Sequence, residues 1–188
     1  MSPPVRLETE RLVLREFVPE DAPFVLELLH DPGWLRYIGD RGVASLEDAR
    51  AYIERVPRAS YRAHGFGLMA VERREDRAPL GMCGLVKRDG LDDPDLGFAL
   101  LACHAGRGYA REAATATLDD ARGRLGLARV LAITTPENER SQRLLERLGM
   151  RFEGMARLVA DGEPLRLFAL DLAAGGGGDA GGQRKIRE

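Results

Sequence analysis

The sequence predicts one mixed α/β domain, with a mostly antiparallel sheet of about seven strands flanked by about four helices. Three observations carry that expectation. Strand-like and helix-like stretches follow one another in the order β-α-α-β-β-β-α-β-α-β-β. The segment Asp95–Ala114 passes from an apolar run through a glycine-rich turn into an alanine-rich helix, and such a crossover helix requires one parallel neighbour pair in the sheet. The chain then closes on two strand-like runs around Asp161-Gly162, a hairpin signal.

The elements follow in order. Leu7–Phe17 alternates Leu12 and Leu14 with Arg11, Val13 and Arg15, which predicts a strand. Pro19–His30 carries helix-start signals at Pro19 and Asp21 and an apolar stripe of Phe24, Val25, Leu28 and Leu29. Asp31-Pro32-Gly33 is expected to stop it, and Trp34–Val43 reads as loop or irregular helix. Ser45, with Asp48 three residues on, opens a helix to Val56 that Pro57 should end. Phe66–Glu72 and Leu80–Lys87 form an antiparallel hairpin across the charged turn Arg73–Ala78, and Leu96–Cys103 is a buried strand. A helix over Arg111–Arg124, a short strand over Val130–Thr134 and a helix over Asn138–Leu148 stopped by Gly149 come next. The closing hairpin pairs Phe152–Val159 with Leu165–Leu172. The domain is thus expected over residues 1–172, with a disordered glycine-rich tail at 173–188 that can bury nothing.

Composition bounds the function. The 188 residues are 44% hydrophobic and 31% charged, ordinary for a globular protein. A net charge of −2 leaves no basic footprint, so no nucleic acid is expected as partner. Lys87 and Lys185 are the lysines, so the positive charge is almost all arginine. No apolar run suits a membrane span or a signal peptide, and a soluble, cytoplasmic protein is expected. Cys83 and Cys103 read as reduced thiols in strands, and without Cys/His ligand spacing no metal is expected.

Chemistry concentrates at Ala105-Gly106-Arg107-Gly108-Tyr109-Ala110. The unpaired N–H groups of a helix's first turn, with the helix dipole, favour an anion. Gly106 and Gly108 let the backbone approach it closely. A P-loop would need Gly-Lys-Ser/Thr where this chain has Gly-Tyr-Ala, and a dinucleotide fingerprint would need a small residue where Arg111 stands. The alternative to a phosphate loop is a plain strand-to-helix turn.

The pattern A-G-R-G-Y-A-x-E-A resembles the coenzyme A loop of the GNAT N-acetyltransferase superfamily, in which a Gln/Arg-x-x-Gly-x-Gly/Ala segment holds the pyrophosphate. Ala105 occupies the slot usually filled by Gln or Arg. The opening R-L-x-L-R and the later N-x-x-S-x-x-L-L-E-x-L-G-M are similar to the branch containing ribosomal-protein N-terminal acetyltransferases, and the order of elements matches the superfamily from Leu7 to Leu172. The resemblance implies acetyl-CoA as cosubstrate, held by Gly106, Arg107, Gly108, Tyr109 and Ala110. It implies that the strand splays at Leu100 and Leu101, freeing N–H groups for the pantetheine arm and the thioester carbonyl. It puts Asn138 on the pantetheine amides and Ser141 near the sulfur, as hydrogen-bond partner or proton donor; by residue type alone, the pair is an ordinary N-cap. Leu145 stands where many relatives carry a tyrosine acid.

Asp95 is the first candidate for the base, acting through water, with a solvated turn carboxylate as the plain alternative. His30, His64 and His104 are further candidates, each with a surface or packing histidine as the plainer reading, while Glu112 is better explained by the helix dipole. Trp34 and Tyr37 are candidates to wall an acceptor pocket, or simply to pack. The expected activity is acetyl transfer to a primary amine, a protein N-terminus or a small molecule, by direct attack in a ternary complex. The alternative is a non-catalytic coenzyme A-binding regulatory module. A monomer or homodimer is expected.

Overall fold

The computed structural model describes residues 4–172; the glycine-rich tail lies outside the described residues. Among these, eight strands form one sheet: β1 (Arg6–Glu8), β2 (Leu12–Arg15), β3 (Leu68–Arg73), β4 (Pro79–Val86), β5 (Asp95–Leu100), β6 (Arg129–Thr134), β7 (Arg151–Ala156) and β8 (Leu165–Asp171). Their spatial order is β1-β2-β3-β4-β5-β6-β8-β7, antiparallel throughout except for β5 against β6. The helices are α1 (Ala22–Leu29), α2 (Pro32–Tyr37), α3 (Leu46–Ile53), α4 (Ala59–His64), α5 (Tyr109–Gly123) and α6 (Glu139–Arg147).

The eighth strand arises because Leu7–Phe17 is a hairpin rather than one strand. Thr9 turns the chain: its N–H donates to the Leu12 carbonyl at 3.0 Å, and its hydroxyl accepts from the Leu12 N–H at 2.9 Å. Such side-chain bonds offer the backbone an alternative to an extended ladder. Two helix signals also read differently in three dimensions. Asp31-Pro32-Gly33 ends α1 and at once starts α2, because Asp31 Oδ1 accepts from the Gly33 N–H at 2.8 Å and Pro32 fills a first-turn position that needs no donor. Pro57 does not end α3. It sits in a π-helical turn, Glu54–Arg58, whose wider winding accommodates a residue without an N–H. The helix resumes as α4 and stops at Gly65, which has a φ of 72°.

The sheet is covered on both faces. The alanine face of α5, with Ala113, Ala114 and Ala121 all 0% exposed, packs on Leu12, Val71 and Cys83, and Leu145 of α6 joins the same core. Burial pushes the Cys83 thiol up to about 12, so it is a packed, unreactive group. On the other face Ala70, Met82 and Leu101 meet Phe17, Leu28 and Ile53. A small third cluster, Leu91, Leu131 and Ala169, lies under the loops that follow β4 and β7.

Two glycines of β4 permit the close packing of its neighbours. A Cβ on Gly81 would lie 2.1 Å from the Ala99 carbonyl oxygen and 2.7 Å from Leu100 Cα, and one on Gly84 would lie 2.1 Å from the Gly67 carbonyl oxygen. Backbone cannot yield there as a flexible side chain would. Gly84→Ala should therefore lower stability by roughly 1–3 kcal/mol, read as a lower urea midpoint at unchanged m. Gly123→Ala at the end of α5, where the new methyl meets nothing within 4 Å, should raise stability by about 0.5 kcal/mol.

Candidate active site

The parallel pair β5–β6 is joined at one register position, Asp95 with Leu131, where the Leu131 N–H donates to the Pro94 carbonyl at 2.9 Å. Past that point β5 stays on β4 through Gly81–Leu100, and β6 stays on β8 through Thr134–Arg166. The two halves of the sheet therefore part toward the C-terminal ends of both strands. The Leu101 N–H donates to the Leu80 carbonyl at 3.0 Å, on the β4 side. Strand alternation then turns the peptide edges of Phe98 and Leu100 toward the gap. Of the two leucines expected to offer free N–H groups, Leu101 is committed to β4 and buried, and Phe98 takes its place beside Leu100.

Both walls of the gap carry helix N-termini at its open end. After β5 a 3₁₀ turn, Ala102–His104, leads into the glycine loop, and α5 starts at Tyr109 with Gly108 as its cap. Gly106 and Gly108 have φ values of 81° and 83°, the left-handed conformation that glycine adopts without strain. After β6, Asn138 caps α6, its Oδ1 accepting from the Ser141 N–H at 3.1 Å. Gln142 folds back on the carbonyls of Thr135 and Pro136 at 3.2 and 2.8 Å, which fixes that turn. Two buried polar atoms near these strand ends, His104 Nδ1 and Thr135 Oγ1, have no hydrogen-bond partner. Burial pulls the His104 imidazole below its ordinary value, helped by the charges of Arg73 and Arg107.

Asp95 lies at the closed end of the gap and is 1% exposed, not a solvated turn residue. Arg88 Nε reaches its Oδ1 at 2.8 Å. Burial pushes the carboxyl above its ordinary value against the opposing pull of Arg88. Ser141 and Tyr37 are half-buried. Trp34 packs among α1 and α3 at 5% exposure, its indole N–H on the Gly39 carbonyl. Its role is in the core. Leu145, at 1% exposure, offers no proton at the position of the missing tyrosine. His30 holds the Leu26 carbonyl and His64 stacks on Phe66.

Comparisons with known proteins give this chain a family. The acetyltransferase (GNAT) domain family matches residues 11–151. This chain belongs to the GNAT family. Uncharacterized N-acetyltransferase YnaD of Bacillus subtilis (strain 168) is 31% identical over 150 residues, 80% of this chain and 85% of that protein. The crystal structure of an acetyltransferase from Agrobacterium tumefaciens str. C58 superposes with a TM-score of 0.74 at 27% identity, covering 90% of this chain and 95% of that one. RimL, a ribosomal L7/L12 alpha-N-protein acetyltransferase solved in complex with coenzyme A, gives a TM-score of 0.75 at 16% identity over 91% and 100% of the two chains. That last likeness is one of fold. As a GNAT protein the chain is an acyltransferase, and among the described residues no helix is long and apolar enough to cross a membrane.

The GNAT loop is held by residues that sequence reasoning passed over. Glu112, in the first turn of α5, does more than complement the dipole. Its Oε1 accepts from the Thr9 hydroxyl at 2.6 Å and the Arg11 N–H at 2.9 Å, and its Oε2 from Arg11 Nε at 2.7 Å. Arg11 also donates to the Arg107 carbonyl at 3.1 Å and lies 4.7 Å over the Tyr109 ring. No local pattern links residues about a hundred positions apart, although R-L-x-L-R marked Arg11 itself. Burial raises the Glu112 carboxyl, but the bonds from Thr9 and Arg11 outweigh it and the net shift is downward from 4.5. A depressed carboxyl contributes stability above its unfolded value and loses it as pH falls through the folded one. Glu112→Gln should thus cost about 2 kcal/mol at pH 7, and the difference from the parent in urea unfolding should shrink steadily below pH 4.5.

Proposed function

We propose that this chain is an acetyl-CoA-dependent N-acetyltransferase that acts on a primary amine by direct attack in a ternary complex. The observation that carries this reading is the single-register junction of β5 and β6, with the α5 and α6 N-termini at its open end. The donor set fits the coenzyme. Backbone N–H groups over Gly106–Ala110 suit a pyrophosphate, and the Asn138 carboxamide nitrogen, left over once its oxygen caps α6, suits the amide carbonyls of a pantetheine arm. Acetyl-CoA supplies an activated acyl group as a thioester.

The residues of the chain do the rest. The Phe98 and Leu100 N–H groups, fixed in β5, are preorganised donors for an oxygen that gains negative charge as the amine attacks. Ser141, in the first turn of α6, is the proton donor to the departing thiolate. Asp95 is the base, and its raised proton affinity suits it to accept a proton from an ammonium through water. Holding donor and amine in one cleft supplies much of the acceleration, which is why few chemical groups suffice. The acceptor is a peptide N-terminus or a small amine that approaches past Tyr37. The rival, a coenzyme A-binding module without catalysis, draws on the buried Leu145 at the tyrosine position.

Titration calorimetry with acetyl-CoA should give saturable heat, and turnover with any member of an amine panel, followed by thiol release, excludes the pure binder. Absence of heat at millimolar acetyl-CoA with folded protein would sink both readings. Asp95→Asn should lower kcat/KM about a hundredfold and remove an acid limb that lies above the ordinary carboxylate range. An unchanged pH profile would make Asp95 a structural ion pair.

A further inference from the structure

Among the arginines near the glycine loop, Arg140 stands apart. It comes from the opposite wall of the gap, in the first turn of α6, yet its Nη2 lies 3.8 Å from where a Cβ on Gly106 would sit. Its guanidinium therefore reaches across the mouth of the gap to the coenzyme loop. Electrostatics alone would not put it there. A cation in the first turn of a helix opposes the helix dipole, and Arg107 adds like charge on the facing loop. No carboxylate compensates: among the described residues neither Arg140 nor Arg107 makes an ion pair, while the adjacent Glu139 is engaged by Arg143 at 3.2 Å and Glu112 by Arg11 at 2.6 Å. The turn that carries Arg140 is held by the Asn138 cap and by Gln142 on the Thr135 and Pro136 carbonyls, so its backbone position is fixed. The loop's own position 105 is an alanine and brings no charge.

We infer that Arg140 is a specificity-determining residue of this cleft: it binds a pyrophosphate oxygen of the coenzyme from the α6 side, supplying the cation that Ala105 does not. The inference rests on the coenzyme reading above and adds a contact to it. An anion shared between the α5 N-terminus and Arg140 also bridges the mouth of the gap, because it bonds to the helices that follow β5 and β6. Without the anion, Arg140 contributes only repulsion.

The test compares wild type, Arg140→Ala, Arg140→Lys and the double variant Ala105→Arg/Arg140→Ala by calorimetry with coenzyme A, dephospho-coenzyme A and pantetheine. Arg140→Ala should weaken coenzyme A about tenfold or more, as expected for loss of a charge-assisted contact, and dephospho-coenzyme A by the same factor, while leaving pantetheine unchanged. Arg140→Lys should recover part of the loss and Ala105→Arg should recover most of it. The melting temperature of the free Arg140→Ala protein should equal or exceed that of wild type, which a merely structural arginine would not give. If wild type binds coenzyme A and Arg140→Ala binds it equally well, the inference fails and the coenzyme reading stands. A loss confined to coenzyme A, absent with dephospho-coenzyme A, would move Arg140 to the 3′-phosphate and overturn the pyrophosphate assignment. Failure of wild type itself to bind coenzyme A would strike the underlying reading instead.

Discussion

Two neighbouring strands that share one register pair and then part set the conditions for everything else in this molecule. Unpaired peptide groups inside a protein are costly, so a sheet that opens between β5 and β6 needs both halves to be stable on their other edges. The chain meets that need with β4 behind β5, where Gly81 and Gly84 let the backbones close up, and with the β8–β7 hairpin behind β6. The peptide edges left over, at Phe98 and Leu100, are then available to a ligand without loss of the fold. The opening also fixes polarity. Both strands run toward the open end, so the helices that follow them, α5 and α6, begin there and present their N-terminal dipoles to the same space.

Side chains, more than backbone, hold the rim of that space. Glu112 ties the β1–β2 turn to the first turn of α5, and Arg11 extends the tie to the loop carbonyl of Arg107. Asp31 does the corresponding work on the helical face: Oδ1 caps α2 while Oδ2 accepts from the Ala102 N–H at 2.8 Å, where the chain leaves β5. A third knot, Arg15 with Asp21 and Glu72 at 2.7 and 2.6 Å, fastens β2 and β3 to the turn that begins α1. Glu112, Asp21 and Glu72 are 17%, 12% and 6% exposed at their side chains, so solvent screens these ties less than it would surface pairs.

Local patterns made much of this legible. Strand alternation, the Ser45–Asp48 capping box and the Asp161-Gly162 turn each act over a few residues, and a sequence displays such signals directly. The glycine loop was legible for the same reason, since Gly106 and Gly108 do adopt positive φ. What could not be read depends on distance or on competition. The break in Leu7–Phe17 turns on a Thr9 hydroxyl that competes with the strand ladder, and Pro57 stays helical because a π turn makes room for it. Trp34 looks the same in sequence whether it lines a pocket or fills a core, and only the packing of α1 and α3 decides. Asp95 is buried rather than solvated because Arg88, seven positions earlier, folds back over it. Arg140 was invisible as a loop contact because it reaches Gly106 from a different helix.

The tie between Thr9 and Glu112 bears on where this domain begins. The family match starts at residue 11, after β1 and after the threonine that turns the first hairpin. A chain trimmed to the family's own limits would keep every residue of the glycine loop and lose the hydroxyl that steadies it, along with the strand beside β2. Excision at residue 11 would leave the glycine loop intact in sequence but unfastened on one side.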